Sequence, residues 1–224
     1  MASKSVESIS WSLDISTKNS GLFVPALAPL AIHLFFAFLA YTIFPERHFW
    51  NVWLLYGGYF IASIVGFIAS CVIVDMTNDI ISGRSMDLNK SLNLIMNKSG
   101  TLILAAIISA ICFITFILIP VALFIITIAI IEGTDAIQST ENAFNFVIKN
   151  LSEVIIFIII VIVVSIILGL AFPLIPVVGV YIGVAAIWMA NVIFTVASVY
   201  FYLGLRQQFP PPPPPPLPPP PPPT

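Results

Sequence analysis

The chain is dominated by long apolar segments that carry almost no charge. Residues 101–131 contain no charged side chain, and four further apolar segments cover residues 21–44, 52–74, 151–172 and 177–205. About twenty apolar residues in a helix cross the roughly 30 Å hydrocarbon core of a bilayer. Only 8% of all residues are charged, against about a quarter in soluble domains. The sequence therefore predicts an all-α, polytopic transmembrane helical bundle whose outer surface meets the lipid bilayer.

The N-terminal segment, residues 1–20, is polar and lacks the apolar core of a signal peptide. Its hydrophobic residues fit two patterns. Val6, Ile9 and Leu13 recur at helical spacing, whereas every second residue from Ile9 to Ile15 is apolar, as in a strand. We favour an amphipathic helix that lies at the membrane interface.

The number of spans depends on residues 101–131, because thirty-one residues are too many for one helix. A single helix would be about 46 Å long, and Pro120 would interrupt it by removing a backbone donor. Crossing once gives five spans, with five Lys and Arg on one side and three on the other. Crossing twice, as 101–119 and 120–131, gives six spans, with seven Lys and Arg on one side and one on the other. Since cationic loops are retained in the cytoplasm, we predict six spans, with five as the alternative.

This topology places both termini in the cytoplasm of a multi-pass protein, which we assign to the cell membrane. A weak internal repeat agrees with it. Three times an amphipathic polar stretch ends in Lys beside Asn and leads into an apolar run, at Lys18, Lys98 and Lys149. Each copy would contribute one interfacial helix and one two-span hairpin within the transmembrane domain, residues 21–206.

Small residues recur at every fourth position in two of the spans, where they allow close helix packing. The second span carries Gly58, Ala62, Gly66 and Ser70, and the last span carries Gly179 and Gly183. Such ridges let neighbouring backbones approach in lipid, where no hydrophobic drive holds helices together. We favour packing within the bundle, and a homo-oligomer interface stays the alternative.

One ionisable residue, His33, lies midway along a predicted span and is the candidate intramembrane polar site. A hydrogen bond to a neighbouring helix is favoured over a proton relay or a ligand role. The sequence contains no metalloprotease, nucleophile-elbow, dithiol or phosphate-loop motif. With two histidines in the chain, we predict no metal site, no cofactor, no catalytic residues and no enzymatic activity.

Two polar segments carry a resemblance to a known group of membrane domains. They are Asp79-Ile-Ile-Ser-Gly83-Arg84, and Ile131-Glu-Gly-Thr-Asp-Ala-Ile137 followed by the helix-forming stretch 143–150. This pattern resembles largely uncharacterised prokaryotic six-helix membrane domains related to the membrane domain of glycerophosphoryl diester phosphodiesterases. The resemblance covers about residues 5–206. It implies six helices and no catalytic residues, because the phosphodiesterase chemistry belongs to a separate soluble domain.

The tail, residues 207–224, is rich in proline. Seven prolines from Pro210 to Pro216 precede Leu217, and six follow from Pro218 to Pro223. Such a run predicts a polyproline II rod of about 3.1 Å per residue. It resembles the polyproline ligands of profilin, SH3 and WW domains, which implies a polyproline-binding partner. A spacer without a dedicated partner is the alternative.

Together these features predict a non-enzymatic integral membrane protein that organises the membrane or docks partners through a cytoplasmic tail. The eight Lys and Arg residues form no patch, so we expect no nucleic-acid partner. Two alternatives remain open. A small transporter or channel would use the break at Pro120, and a lipid-binding protein would follow from analogy of fold.

Overall fold

A computed structural model describes residues 3–43, 48–115, 117–175 and 178–206. The described residues contain helices and no strand, so the all-α prediction is confirmed. The helical alternative for the N-terminal segment is the observed one. The predicted polyproline II tail, with Pro210, Pro216, Leu217, Pro218 and Pro223, lies outside the described residues.

The helices follow one another in a regular order. Their bounds are α1 Lys4–Lys18, α2 Val24–Phe38, α3 His48–Ile81, α4 Leu88–Asn97, α5 Ser99–Ile114, α6 Ile119–Glu132, α7 Ala136–Lys149, α8 Leu151–Ala171 and α9 Gly179–Arg206. A 3-10 turn precedes α2, and a π-helical turn, Leu39–Ile43, extends it. Three times in this order a short helix with a polar face is followed by two apolar helices.

Four helical segments are each long and apolar enough to cross a membrane: Ser20–Thr42, Phe49–Ile81, Leu151–Ala171 and Gly179–Arg206. Two further pairs pass the same test only when taken together. The α4–α5 pair bends by 76° and the α6–α7 pair by 120°. The described chain is therefore a membrane protein with four to six candidate spans.

Two predicted span boundaries differ from the observed helices. The second span was expected to end at residue 74, but α3 continues to Ile81, because the carboxylates of Asp75 and Asp79 both find partners close by. The predicted 101–119 helix ends early, at Ile114. The next helix begins at Ile119 with Pro120 in its first turn, where the missing proline N–H would have had no helical partner.

Helix α6 lies at the centre of the bundle. Most of its side chains are buried, among them Phe124, Ile125 and Ile128. Phe124 packs on Phe146 of α7 and Phe201 of α9, with ring centroids 5.0 and 5.8 Å apart. This cluster joins α7 and α9 to α6.

Helix α8 lies at the edge of the bundle. Only Val154 and Phe157, near its start, are buried. The rest of the helix exposes Ile and Leu side chains, for example Ile166 and Leu170. A helix that is apolar all round and packed on one end is suited to contact with lipid.

The predicted small-residue ridge of α3 lies against two neighbouring helices. A Cβ on Gly58 would collide with Phe36 of α2, coming within 2.9 Å of Cδ2 and closer still to Cβ and Cγ. A Cβ on Gly66 would lie 2.5 Å from Cη2 of Trp188 in α9. Between them, Ala62 is fully buried, and Ser70 is half-buried. Side chains of the same molecule therefore occupy the space beside both glycines.

The second predicted pair, Gly179 and Gly183, lies at the start of α9. A Cβ on Gly179 would collide with the carbonyl oxygen of Phe172. A Cβ on Gly183 would lie 3.1 Å from the Cβ of the same phenylalanine. The two glycines therefore let the turn between α8 and α9 fold back onto α9.

Helix α1 buries serines rather than large apolar residues. Ser5, Ser8, Ser12 and Ser16 line its inner face and are fully buried, whereas Val6 remains half exposed. The helix packs mainly along α9. Small side chains allow this close approach, and the hydroxyls of Ser8 and Ser12 donate to backbone carbonyls of their own helix.

The α2–α3 contact can be tested at adjacent glycines. We expect Gly58→Ala to destabilise the fold by about 1–3 kcal/mol, because the added methyl overpacks the contact with Phe36. Unfolding of the purified protein in detergent–SDS mixtures would measure the change.

Gly57→Ala is the matched control, since no atom of the described residues lies within 4 Å of a Cβ at that position. We expect this variant to be unchanged or slightly more stable, as alanine favours helix over glycine. Equal stability of the two variants would contradict the packing assigned to Gly58.

Candidate functional site

The polar residues of the described chain concentrate where the ends of α3, α6 and α9 and the start of α8 meet α1, α4 and α7. We call this region the polar layer. Three carboxylates, Asp79, Glu132 and Glu153, organise it. Each of them binds groups from another segment of the chain, so the three contacts together fasten the short helices to the long ones.

Asp79 lies near the end of α3 and its side chain is fully buried. Its two oxygens accept from different cations, Arg84 Nε at 2.6 Å and Lys90 Nζ at 2.6 Å. Arg84 belongs to the α3–α4 loop and Lys90 to α4, and about half of each cationic side chain is exposed. The buried carboxylate thus fixes α4 and its loop to the end of α3.

The α3–α4 turn itself follows from Gly83. This residue has a left-handed backbone, with φ of 71°, which favours glycine. The N–H of Arg84 returns to the carbonyl oxygen of Asp79 at 2.8 Å, the bond that closes a glycine-terminated helix. Asp87 then caps α4 by accepting from the backbone of Asn89 and Lys90.

A second buried contact supports the same corner. Ser91 Oγ of α4 donates to Asp75 Oδ2 of α3 at 2.6 Å, and both residues are buried. A carboxylate that loses water must regain hydrogen bonds. The Asp75 side chain therefore lies inside the α3–α4 contact.

Glu132 is the last residue of α6 and joins α6, α7 and α9. Its oxygens accept from the Tyr202 hydroxyl and from Asn142 Nδ2, the latter at 2.7 Å. Arg206 Nη1, at the last residue of α9, lies 3.2 Å from Glu132 Oε1. The end of α9 is therefore held at a fixed place in the polar layer.

Next to Glu132 lies an open cavity of about 310 Å³ between α7 and α9. Its polar lining includes Asn145, Lys149, Asn150 and Arg206. Lys149 and Arg206 contribute positive charge, and Glu132 offsets part of it. The cavity is a water-accessible pocket at the point where the chain continues into the tail.

Glu153, in the first turn of α8, caps a different helix from its own. Its Oε2 accepts from Ser3 Oγ at 2.6 Å and from the Ser5 backbone N–H at 3.2 Å. Ser5 Oγ in turn donates to the Glu153 carbonyl oxygen at 2.7 Å. The negative charge thus meets the positive N-terminal end of α1 and anchors that helix to α8.

Aromatic and charged side chains also join α1 to α9. Trp11 stacks on Tyr200 with ring centroids 4.3 Å apart, and the Tyr200 hydroxyl donates to Glu7 at 3.0 Å. The hydrogen bonds from Lys4 and then Tyr200 lower the pKa of Glu7. The Glu7 carboxylate thus stays ionised next to the tyrosine.

A second polar region lies at the depth of the predicted spans. His33 of α2 accepts a hydrogen bond from Trp188 Nε1 of α9 at 3.2 Å, and its ring meets the Tyr59 ring of α3 edge-on. This hydrogen bond joins His33 to a neighbouring helix, as the sequence analysis favours. Among the described residues, no group of three or more His, Cys, Asp or Glu could hold a metal ion.

Sequence reasoning located some of these residues but not their partners. Asp79, Gly83 and Arg84 belong to a motif that the sequence shows. The contacts of Glu153 with Ser3 and of Glu132 with Arg206 join residues far apart in the chain. Nothing in the local pattern of the sequence indicates either pair.

Comparisons with protein families, curated proteins and solved structures found no match to this chain. The resemblance to the membrane domain of glycerophosphoryl diester phosphodiesterases, and that of the tail to polyproline ligands, stay predictions.

The Asp79 cluster predicts a non-additive pair of substitutions. Because Arg84 and Lys90 are half exposed, replacing either one by alanine should cost up to about 1 kcal/mol. Replacing both leaves a buried carboxylate with no cation and should cost about 3–5 kcal/mol. Unfolding of the two single variants and the double variant in detergent–SDS mixtures would measure the difference.

The exposed pair Asp14–Lys18 of α1, with 2.7 Å between its charged atoms, is the control. Its single and double alanine variants should stay within about 0.5 kcal/mol of the parent. A double variant at Arg84 and Lys90 that costs no more than the sum of the two single variants would contradict the bridging role of Asp79.

Proposed function

We propose that the protein is a six-span, non-enzymatic membrane module whose polar layer forms a docking platform on the cytoplasmic side. The order of the helices supports six spans, since each of α1, α4 and α7 precedes two apolar helices. In this arrangement α5 and α6 form the middle hairpin. They are about 24 and 21 Å long, shorter than the roughly 30 Å hydrocarbon core.

The burial of α6 makes such a short helix acceptable. Its side chains pack on the helices around it, so its length need not match the thickness of the lipid. Helix α5 is partly exposed to lipid, for example at Ile107 and Ile111. A short exposed helix is accommodated by local thinning of the bilayer.

The observation that carries the docking proposal is the fastening of all three short helices to the spans. Asp79 holds α4, Glu132 holds α7, and Glu153 holds α1. Three fixed helices form a rigid surface, and a rigid surface loses little conformational entropy when a partner binds.

The position of the tail supports the same function. Arg206, the last residue of α9, pairs with Glu132, and three residues separate it from the first proline of the tail, Pro210. A polyproline segment that begins at a fixed point of the platform would present a partner at a defined place. Because polyproline II is ordered before binding, such a segment suits a groove lined by aromatic residues.

Topology can be tested by single cysteines in a Cys71→Ala, Cys112→Ala background. Ser10, Asn93 and Glu141 are exposed residues of α1, α4 and α7, and Leu174 is 82% exposed in the α8–α9 turn. We expect cysteines at the first three positions to react with a membrane-impermeant thiol reagent only after cell lysis. A cysteine at Leu174 should react in intact cells.

The five-span alternative gives a different pattern. The segment around Glu141 would then lie outside, and its cysteine would react in intact cells while the cysteine at Asn93 would not. That result would overturn both the six-span topology and the cytoplasmic tail.

The tail can be tested with purified profilin, an SH3 domain and a WW domain as probes. We expect at least one of them to bind the full-length protein in lipid nanodiscs, with at least tenfold weaker binding after truncation at Phe209. Biolayer interferometry would measure the affinities. A variant with serine at each of the thirteen tail prolines keeps the tail length and should behave like the truncation. The docking role of the tail would be contradicted if a probe bound the full-length protein, the truncation and the serine variant equally. It would also be contradicted if no probe bound the full-length protein.

A further inference from the structure

Several polar side chains lie on a surface at membrane depth, far from the polar layer. Asn191 of α9 is the clearest case. It lies fifteen residues before Arg206, about 22 Å along the helix axis, and its side chain is exposed. Lipid chains offer an amide no hydrogen bonds, so an exposed Asn at this depth is costly unless something polar contacts it.

Asn191 lies at the junction of two cavities. The first, of about 270 Å³, is lined by Tyr59 and Ser63 of α3 and Trp188 of α9. The second, of about 230 Å³, lies among α3, α6, α8 and α9. Ser70, Asn191 and Thr195 line both cavities. We call these two adjoining cavities the cleft, and each is close to the lower end of the roughly 300–1,000 Å³ of typical small-molecule sites.

The two halves of the cleft differ in chemistry. The first combines hydroxyl groups, the Asn191 amide and aromatic rings. The second is lined mainly by apolar side chains, namely Leu123, Ile126, Phe157, Val161 and Phe194. Among the described residues, none that lines either half is Asp, Glu, Lys, Arg or His. The cleft therefore fits a neutral molecule with a small polar head and a hydrocarbon body.

The polar head would find free hydrogen-bonding groups. Ser63 and Thr195 donate to backbone carbonyls of their own helices, which leaves the lone pairs of their oxygens as acceptors. Within the part of the chain that the structure describes, the side chains of Ser70, Thr127 and Asn191 make no hydrogen bond. An amide offers both donors and acceptors, so it pairs well with a hydroxyl group.

We propose that this cleft binds a neutral lipid with a free hydroxyl group, of the diglyceride or sterol class. The hydroxyl group exchanges hydrogen bonds with Asn191 and the neighbouring side-chain oxygens, and the hydrocarbon lies against Phe157, Val161 and Phe194. The concave shape favours a small guest over a second copy of the chain, whose helix would need a flat or ridged surface. This site is independent of the docking platform.

The test uses the full-length protein in phosphatidylcholine nanodiscs. Photoactivatable diacylglycerol and photoactivatable cholesterol are the probes, each paired with its methyl ether, which cannot donate a hydrogen bond. We expect at least one free alcohol to label α6 or α9 at least fivefold more than its ether. Excess unlabelled alcohol should suppress the labelling.

Substitutions at Asn191 separate binding from folding. Asn191→Leu should reduce the labelling at least fivefold and leave the melting temperature equal or higher, because an exposed amide is removed from hydrocarbon. Asn191→Gln should keep at least half of the labelling. Ser165→Ala, on the exposed face of α8 outside the cleft, is the matched control and should change neither quantity.

Two results would overturn the proposal. One is equal labelling by the alcohols and their ethers. The other is unchanged labelling of Asn191→Leu together with conversion of a dimer to a monomer, which would make this face an interface between copies. Either result would leave the docking platform untouched, because the polar layer lies elsewhere.

Discussion

The fold depends on one constraint, the absence of hydrogen-bonding partners in hydrocarbon. A carboxylate can be buried in this chain only where other parts of the protein supply its partners. Asp79 meets this requirement with two cations from the following loop and helix, and Glu132 meets it with an amide, a phenol and a guanidinium. The contacts that supply these carboxylates with hydrogen bonds also hold the short helices in place. The polar layer therefore follows from the need to compensate carboxylates that have lost water.

The apolar part of the bundle is held together by close packing at small residues and not by hydrogen bonds. Lipid surrounds the helices with chains as apolar as their own side chains, so contact area between smooth surfaces gives little net stabilisation. Gly58 and Gly66 solve this by admitting Phe36 and Trp188 into hollows of α3. The serines on the inner face of α1 have the same effect at the polar layer, where α1 lies against α9.

The two proposed activities occupy separate parts of the same architecture. The platform uses short helices that are fixed by ion pairs and hydrogen bonds. The lipid cleft includes Phe157 and Val161 of α8, at the point where the closely packed start of that helix ends. A partner at the platform and a lipid in the cleft could therefore be bound at the same time, although α3, α6, α8 and α9 each contribute residues to both.

The sequence alone determined the class of fold, because apolar segments of this length have few other stable solutions. It also indicated the approximate position of each apolar helix and the helix break beside Pro120, since proline lacks the N–H that a continuous helix needs. The tertiary structure decided where α3 ends, because Asp75 and Asp79 are tolerated in a helix only when Ser91, Arg84 and Lys90 reach them. It also decided that Glu153 caps α1 and that Asn191 lies beside a cleft. Such contacts join residues as many as 150 positions apart, and local periodicity carries no information about them, because it records only which face of one helix is apolar.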